Sequence, residues 1–484
     1  MTKELRRLSF VILAMFLSLF VATSWIQVVD APNLAENPAN TRTRLDSYDI
    51  QRGSIIADGT VIASSKPVED RYQYLRQYPD AAMWAPVTGY YNPALNSRTG
   101  LEKALNPDLA GTGSNAFFAE IERIFSGQPP QGLSVEVTMD PKVQKAAWDA
   151  MKGLQGAVVA IEPATGRILA MVSTPGYDPN KLAAHDPAAV NAEDKRLKDD
   201  PANPLFNRTI AGNLNPPGST FKVIVAAAAL ASGEFTLESK LPNPARYTLP
   251  GTKTPISNAW KGTCGPCKEA TIAEALRLSC NIPMAQLAVK VGEDAIREMA
   301  EKFGFNAELE IPLPVTPSTY PTGLSNDKLA QTGYGQADVR ATPLTIAMMA
   351  AGIANDGTVM LPRMVDDVIG DDFAVHKQFD DQAFAQALDA EQADALTKVL
   401  VAGVADGAAT GARIDGVDVA GKTGTAENGD NPYTLWFSGF APAENPQVAV
   451  AVVVEDGGGR GKTGTGNTIA GPIAKKVIEA VPGR

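Results

Sequence analysis

The sequence predicts a mixed α/β (α+β) fold in which one antiparallel sheet is flanked by helices, with a small mixed domain in front of it. A hairpin pattern lies at 157–172, and three more strand patterns follow one another closely at 417–425, 435–440 and 448–455. Short connections between successive strands imply antiparallel neighbours. Because helical patterns fill the sequence between these two groups, we expect one sheet assembled from both ends of the domain.

Apolar residues at helical spacing predict the helices that flank this sheet. The patterns lie at 219–232, 271–280, 293–303, 343–355, 390–404 and 470–480. Residues 177–204 are polar instead, with mixed charges at 193–200. We therefore predict a solvated loop there.

The N-terminus carries an apolar stretch without charges at 8–29. Its length fits a membrane-spanning helix of ~20 residues, whereas the apolar core of a signal peptide has usually ~7–15. Basic residues precede it, which predicts a cytoplasmic tail at 1–7 and an extracytoplasmic remainder. Residues 22–24 are a weak cleavage site, so a cleaved signal peptide stays an alternative.

Two domains are expected after this helix. Residues 33–43 are rich in Asn, Pro and Ala and are predicted to be a linker. The first domain is assigned to 30–152, and the second domain is assigned to 153–484. Asp140 followed by Pro141 predicts the cap and first residue of a helix near the end of the first domain.

The composition argues against several classes of function. Lys and Arg number 43 against 54 Asp and Glu, a net charge of −11, so nucleic acid is not an expected partner. The two histidines, His185 and His376, lie in neither a nucleophile-elbow nor a zincin pattern. Three cysteines do not supply two pairs of zinc ligands. We therefore expect no metal and no cofactor.

A Ser-x-x-Lys motif at Ser219 and Lys222 follows Pro216-Pro217-Gly218 and opens an apolar helical pattern. A serine at a helix N-terminus lies in a positive field that favours a developing oxyanion. Its hydroxyl needs an adjacent base, and Lys222 lies on the same helix face. A lysine acts as a base only when it is neutral, which burial and a neighbouring cation favour. We expect Lys422 to supply that cation.

Two further short motifs follow in the chain. Ser279 and Asn281 form a Ser-x-Asn at the end of the predicted 271–280 helix, where a hydroxyl can relay a proton and an amide can hold the lysine. Lys422-Thr423-Gly424-Thr425 belongs to a predicted strand, whose edge can align an extended peptide. Gly424 is expected to leave room for that peptide. Lys422 and the threonine hydroxyls suit a carboxylate.

Two similar patterns are interpreted differently. Residues 416–423 match a P-loop, but a P-loop opens a helix, and here a strand pattern is followed by a turn. Residues 462–465 repeat Lys-Thr-Gly-Thr inside a glycine-rich stretch at 457–466, which is predicted to be a flexible loop.

In this order the three motifs resemble those of penicillin-binding proteins and class A β-lactamases. The resemblance to class B penicillin-binding proteins covers nearly the whole chain and is strongest for the actinobacterial penicillin-binding protein A subgroup. Its other segments are Arg52-Gly53, Gly100-Leu101-Glu102, 162–171, 333–336, 342–344 and 436–442. The segment 436–442 resembles the strand that follows the Lys-Thr-Gly motif in this family, so it identifies 422–425 rather than 462–465 as that motif. The fold that it implies adds an all-helical subdomain and makes the first domain a pedestal or dimerisation-type domain.

The resemblance implies a serine D-Ala-D-Ala transpeptidase. Ser219 would be acylated by a peptidoglycan stem peptide with Lys222 as base, and Ser279 and Asn281 would assist. Lys422, Thr423 and Thr425 would hold the terminal carboxylate, while the N–H groups of Ser219 and Thr425 would form the oxyanion hole. An amine of a neighbouring stem peptide would resolve the acyl-enzyme, and β-lactams would stall it.

Several alternatives remain beside this activity. A class A β-lactamase would need a Glu-x-x-Leu-Asn segment, which is absent between Asn281 and Lys422. A D,D-carboxypeptidase would use the same residues with water as acceptor, so it stays open. An alternative without catalytic activity is a β-lactam sensor or a structural protein of the division machinery. Expected partners are stem peptides, β-lactams, the cytoplasmic membrane, and glycosyltransferase and division or elongation proteins.

The three cysteines predict one disulfide and one free thiol in an extracytoplasmic domain. A Cys264–Cys267 bond would close a very tight ring. A Cys264–Cys280 bond would tie the 261–268 loop to the helix end that carries the Ser-x-Asn motif, and we favour it. Related proteins of the subgroup tend to carry cysteine at the middle Ser-x-Asn position, which supports this choice.

Overall fold

The computed structural model describes residues 2–30, 34, 50–112, 131–211, 214–370 and 374–482. Within these ranges the chain forms an apolar N-terminal helix, a six-stranded mixed sheet and a five-stranded antiparallel sheet between helices. The predicted linker at 33–43 lies outside the described residues apart from Leu34.

Helix α1 (Thr2–Ser24) continues as a short π-helical segment at Trp25–Val29. The stretch Lys3–Val29 has 27 residues, and its most apolar 18 residues have a mean hydropathy of 2.1 and are not buried by the rest of the protein. At 1.5 Å per residue it is about 40 Å long, against about 30 Å for the hydrocarbon core of a bilayer. The chain therefore has an N-terminal helix that is long and apolar enough to span a membrane.

The strands of the two large sheets are β1 (Ile55–Ala57), β2 (Thr60–Pro67), β3 (Tyr74–Gln77), β4 (Ser134–Val137), β5 (Gly156–Ile161), β6 (Ile168–Thr174), β7 (Val365–Ile369), β8 (Val375–Gln378), β9 (Ala420–Asn428), β10 (Asn431–Ala441) and β11 (Val448–Val454). Two-stranded pairs join Tyr91–Asn92 to Ser97–Arg98, Lys240–Pro242 to Glu269–Thr271, Tyr247–Thr248 to Pro255–Ile256, Leu309–Glu310 to Pro314–Val315, and Thr358–Met360 to Ala383–Gln386.

The longer helices after α1 are α2 (Ala81–Thr88), α3 (Pro141–Ala150), α4 (Pro187–Asp199), α5 (Lys222–Ala231), α6 (Ile272–Leu278), α7 (Asn281–Val291), α8 (Glu293–Lys302), α9 (Asn326–Thr332), α10 (Pro343–Ala354), α11 (Ala390–Ala405) and α12 (Gly471–Glu479). Short helices lie at Gly100–Ala104, Asn106–Leu109 and Pro179–Ala183.

The five-stranded sheet has the order β9-β10-β11-β5-β6, and each neighbouring pair is antiparallel. Strand β11, near the end of the chain, pairs with β5, so that Val452 lies opposite Val158. The prediction of one sheet built from both ends of the domain is confirmed. Within the part of the chain that the structure describes, β9 is an edge strand, so one side of its backbone can pair with another chain segment.

Both faces of this sheet are buried. On one face Val158 packs in a cluster with Val143 of α3 and Ile473 of α12. On the other face Val159 packs in a larger cluster with Ile224 of α5 and residues of α10. Burial on both faces explains why β5 and β11 are apolar along their whole length rather than alternating.

Residues 177–204 are not a solvated loop, so that prediction was wrong. Helix α4 occupies most of the segment and begins after Asp186, whose carboxylate accepts the N–H of Ala188, with Pro187 as the first helical residue. Val190 and Leu197 are buried, and the charges pair along the exposed face. A helix with only two inward-facing apolar residues gives little periodicity, although its cap was visible in the sequence.

The six-stranded sheet has the order β8-β7-β4-β1-β2-β3. Strands β7 and β8 lie far beyond residue 152 in sequence, and yet β7 pairs with β4, with Val368 opposite Val135. Strand β1 pairs with β4 in parallel. The N-terminal sheet is therefore completed by a segment from the second half of the chain.

A buried carboxylate links the segments of the N-terminal domain. Glu102 is fully buried and accepts from Arg52 Nε at 2.5 Å and from Arg76 Nε at 2.6 Å. Tyr78 donates its hydroxyl to the same carboxylate at 3.2 Å. Burial acts to raise the pKa of Glu102, but Arg76 and Arg52 outweigh it, so the pKa lies below its ordinary value. Glu102 is therefore ionised and paired.

We predict that Glu102→Gln destabilises the folded chain by about 3–5 kcal/mol, because it leaves two buried guanidinium groups without their counter-charge. Chemical denaturation of the detergent-solubilised protein measures the loss. The matched control is Asp199→Asn, which breaks an exposed pair with Lys195 and should change stability little. Equal stabilities of the two variants would contradict a structural role for the buried network.

Candidate active site

Ser219 lies in a 3₁₀ turn, Gly218–Phe221, that leads directly into α5. The preceding Gly218 has a φ of +55° and donates its N–H to Gly335 O at 3.0 Å. Trp436 donates its indole N–H to Pro216 O at 3.0 Å, and the Thr220 hydroxyl donates to Pro217 O at 2.7 Å. The backbone before Ser219 is thus held from several sides.

We call the Gly218–Phe221 turn, which contains Ser219, the serine turn. The Lys222 side chain is fully buried beneath it. Its Nζ donates to the backbone oxygen of Ser279 at 2.7 Å and to Asn281 Oδ1 at 2.8 Å. Burial first, and the charge of Lys422 second, place the pKa of Lys222 well below its ordinary value. The lysine is therefore suited to be neutral and to accept a proton.

Ser279 and Asn281 belong to two different elements, rather than to the end of one helix as predicted. Helix α6 ends at Leu278, and Ser279 adopts a left-handed conformation with a φ of +62°. Cys280 then occupies the N-cap position of α7, of which Asn281 is the first residue. This sharp connection directs Ser279 O and Asn281 Oδ1 to the same lysine.

Lys422 approaches the Ser279 hydroxyl from the edge strand β9. Its Nζ lies 2.6 Å from Ser279 Oγ and donates to Thr423 O at 3.0 Å, while Lys222 Nζ lies 3.4 Å from Ser279 Oγ. Burial lowers the pKa of Lys422 to about 7. The structure therefore places the Ser279 hydroxyl between two amines, where it can pass a proton.

The two threonines of the strand motif differ in whether their hydroxyl hydrogen is available to a ligand. The Thr423 hydroxyl donates to Ala408 O at 2.9 Å, so its hydrogen is already used. The Thr425 hydroxyl accepts from the N–H of Gly466 at 3.2 Å, which leaves its hydrogen available to a ligand. A Cβ at Gly424 would lie 2.8 Å from Pro217 O. Glycine is needed there for the close approach of the protein's own serine turn.

The second Lys-Thr-Gly-Thr does not enter this cluster. Lys462 is exposed and lies 3.7 Å from Asp430 at the tip of the β9–β10 hairpin. The end of its glycine-rich stretch nevertheless packs against β9, because a Cβ at Gly466 would lie 2.4 Å from Gly424 O. The stretch is therefore partly a support for the edge strand. The last four residues of the P-loop-like pattern at 416–423 belong to β9, which continues to Asn428 and does not open a helix, so this is not P-loop geometry.

The structure contains a disulfide between Cys264 and Cys280, and Cys267 is free and exposed. Both bonded cysteines are buried, and Asn243 holds the loop by donating to Cys264 O at 2.7 Å and accepting its N–H at 2.6 Å. The bond joins the loop to the residue between Ser279 and Asn281.

Sequence reasoning missed Asn258, which is almost completely buried. Its Oδ1 accepts the N–H of Asn281 at 2.7 Å and of Ile282 at 3.2 Å, so it caps α7 from a distant loop. Asn281 in turn donates its amide to Ser257 O at 3.2 Å. Nothing in the local sequence distinguishes Asn258 from a surface asparagine, and only the tertiary contact reveals it.

Comparison with known proteins agrees with this geometry. The model of the penicillin-binding protein transpeptidase domain matches residues 156–479, and that of the penicillin-binding protein A dimerisation domain matches residues 52–135. The chain therefore belongs to the penicillin-binding protein transpeptidase family.

Relatives match over nearly the whole length. The chain is 41% identical to peptidoglycan D,D-transpeptidase PbpA of Mycolicibacterium smegmatis, with 99% of each protein covered. It is 30% identical to penicillin-binding protein 3 of Bacillus subtilis, over 80% of this chain and 60% of that protein. A ceftriaxone acyl-enzyme complex of penicillin-binding protein A from M. tuberculosis superposes with a TM-score of 0.87, at 41% identity, over 90% of this chain and 100% of that one.

We predict that removing the charge of Lys422 raises the pKa of Lys222, because the cation at Lys422 is one of the two causes that lower it. Lys422→Gln tests this, with the lysine side chains followed by NMR titration of the ¹³C-labelled protein. The matched control is Lys462→Gln, which removes the same charge from the exposed copy of the motif. A pKa of Lys222 that is equal in both variants would contradict the coupling.

Proposed function

We propose that this chain is a peptidoglycan D,D-transpeptidase that cross-links stem peptides through an acyl-enzyme on Ser219 and is inhibited by β-lactams. The observation that carries the proposal is the position of Lys222: a buried amine with a lowered pKa, one helical turn after a serine at a helix start. The activity named for its relatives supports it.

In the acylation step Ser219 Oγ attacks the carbonyl carbon of the penultimate D-alanine, and Lys222 accepts its proton. The N–H groups of Ser219 and Thr425 stabilise the negative charge that develops on the carbonyl oxygen. When the tetrahedral intermediate collapses, the C–N bond breaks and the leaving D-alanine amine takes a proton by way of Ser279. Asn281 keeps Lys222 oriented throughout.

The terminal carboxylate of the donor peptide binds Lys422 and Thr425. Lys422 supplies the charge, and Thr425 donates the hydroxyl hydrogen that its contact with Gly466 leaves available. Thr423 donates its hydroxyl hydrogen to Ala408 O and so supports the strand that carries these two residues. A carboxylate beside Lys422 favours its charged form, so the substrate itself raises the pKa of this lysine on binding.

The amine of a second stem peptide then attacks the acyl carbonyl carbon, and the ester bond to Ser219 Oγ breaks. Lys222 passes the proton lost by the amine to Ser219 Oγ, which restores the hydroxyl, and the new amide bond is the cross-link. Water in place of the amine would give carboxypeptidase activity with the same residues. The D,D-transpeptidase names of the relatives favour the amine.

We place the enzyme in the cytoplasmic membrane, held by α1 as a single span, with the catalytic domain on the extracytoplasmic side. The basic residues before α1 support this orientation. A membrane-anchored transpeptidase needs newly made glycan strands beside it, so we expect a glycosyltransferase and division or elongation proteins as partners. Protease protection of the chain in intact cells tests the orientation.

We predict that Ser219→Ala abolishes covalent labelling by penicillin and leaves the melting temperature similar, because only the nucleophile is lost. Intact mass and peptide mapping after incubation with labelled penicillin measure it. Labelling that persists on the variant would mean that another residue is acylated.

We predict that Lys422→Ala slows acylation by at least ~10²-fold, the scale of losing one preorganised electrostatic group. Stopped-flow acylation by a chromogenic cephalosporin measures the rate. Lys462→Ala is the matched control and should leave the rate near that of the wild type, because Lys462 is exposed beside Asp430. Equal losses in both variants would contradict the assignment of the strand motif.

A further inference from the structure

The edge strand β9 fixes the direction of a bound donor peptide. Lys422 lies near its start, where we place the donor carboxylate, and the strand continues to Asn428. A peptide that pairs with this edge and ends beside Lys422 runs antiparallel to β9, so its upstream residues lie toward the far end of the strand. Each residue of an extended chain advances about 3.3 Å.

Glu427 occupies that far end. It is exposed and lies two residues, about 7 Å, beyond Thr425 along the strand. Its carboxylate has no ion-pair partner among the residues that the structure describes. The nearby Asp430 is already close to Lys462. Glu427 therefore presents an unneutralised negative charge beside the edge of β9, where we place the donor peptide.

The position of Glu427 relative to the nucleophile follows from Gly218. A Cβ at Gly218 would touch Ala426 at 3.2–3.3 Å, and a Cβ at Gly335 would lie 1.9 Å from Gly218 O. Ala426 and Gly335 thus flank the residue before Ser219 from two sides. Glu427 and Tyr334 are their immediate neighbours in sequence, so both lie at the rim of the serine turn.

Tyr334 supports this placement. It is half-buried, and burial first and the Glu427 carboxylate second raise its pKa to about 12. Its hydroxyl is therefore neutral at physiological pH. The end of β9 that is farther from Lys422 thus carries one negative charge with an uncharged phenol beside it. This combination favours a cationic ligand.

We propose that Glu427 is a specificity-determining residue that binds an ammonium group on the side chain of the donor residue immediately upstream of D-Ala-D-Ala. The inference rests on the proposed function and adds the chemistry of the donor to it. With the penultimate D-alanine carbonyl at Thr425, the next residue upstream lies about one residue, or 3.3 Å, closer to Glu427. A flexible side chain that ends in an amine spans the remaining distance.

Two donor peptides test this proposal. Both end in D-Ala-D-Ala, and they differ only in whether the amine on the third-from-last side chain is free or acetylated. The kcat/KM for release of D-alanine is measured for each at low ionic strength. The wild type should prefer the free amine by up to about 5-fold, as expected for a partly exposed ion pair. The preference should shrink as salt is added.

Glu427→Gln should remove the preference, and Glu427→Lys should reverse it in favour of the acetylated peptide. The matched control is Glu444→Gln, an exposed glutamate in the β10–β11 connection at the opposite end of the sheet, which should keep the wild-type ratio. A wild type without preference, or a preference that survives in Glu427→Gln, would overturn the proposal.

Penicillin labelling of the same wild-type preparation separates this inference from the proposed function. Labelled protein that does not distinguish the two peptides overturns the role of Glu427 alone. Protein that penicillin does not label at all overturns the acyl-enzyme on Ser219 as well.

Discussion

The site depends on the burial of two lysines whose nearest polar partners are neutral oxygens. Among the described residues neither Lys222 nor Lys422 forms an ion pair with a carboxylate; they contact backbone oxygens, the Ser279 hydroxyl and the Asn281 amide. A carboxylate in their place would hold both amines protonated. Dipoles alone satisfy their hydrogen bonds and leave the proton free to move.

This arrangement requires three separate segments to be held at hydrogen-bond distances. The serine turn is fixed by Trp436 and Gly335, and the edge strand is packed against that turn at Gly424. The Ser-x-Asn connection is fixed by Asn258 and by the disulfide at Cys280. None of these supporting groups needs to touch a substrate, and each restricts how an amine is oriented.

Much of the architecture could be predicted from sequence, because strands buried on both faces and the three short motifs leave strong local signals. Helix α4 could not, since only Val190 and Leu197 mark its inward face. The contact between Gly424 and the serine turn could not be predicted either, because the sequence shows that a side chain is missing but not what lies in that space. Asn258 acts 23 positions away from Asn281. Contacts at such separations are set by the tertiary fold and have no local pattern.

Because strands from both halves of the chain form the N-terminal sheet, the two halves depend on each other's sequence. Strands β7 and β8 interrupt the helix-rich part of the chain to complete a sheet that begins with β1. A cut at residue 152 would strip β7 of its neighbour β4 and expose the buried Val365 and Val368 along an open strand edge. Recombination that replaced the N-terminal half with a segment lacking a strand to pair with β7 would leave that apolar edge open to aggregation. The residues that pair across β4 and β7 are therefore constrained to change together.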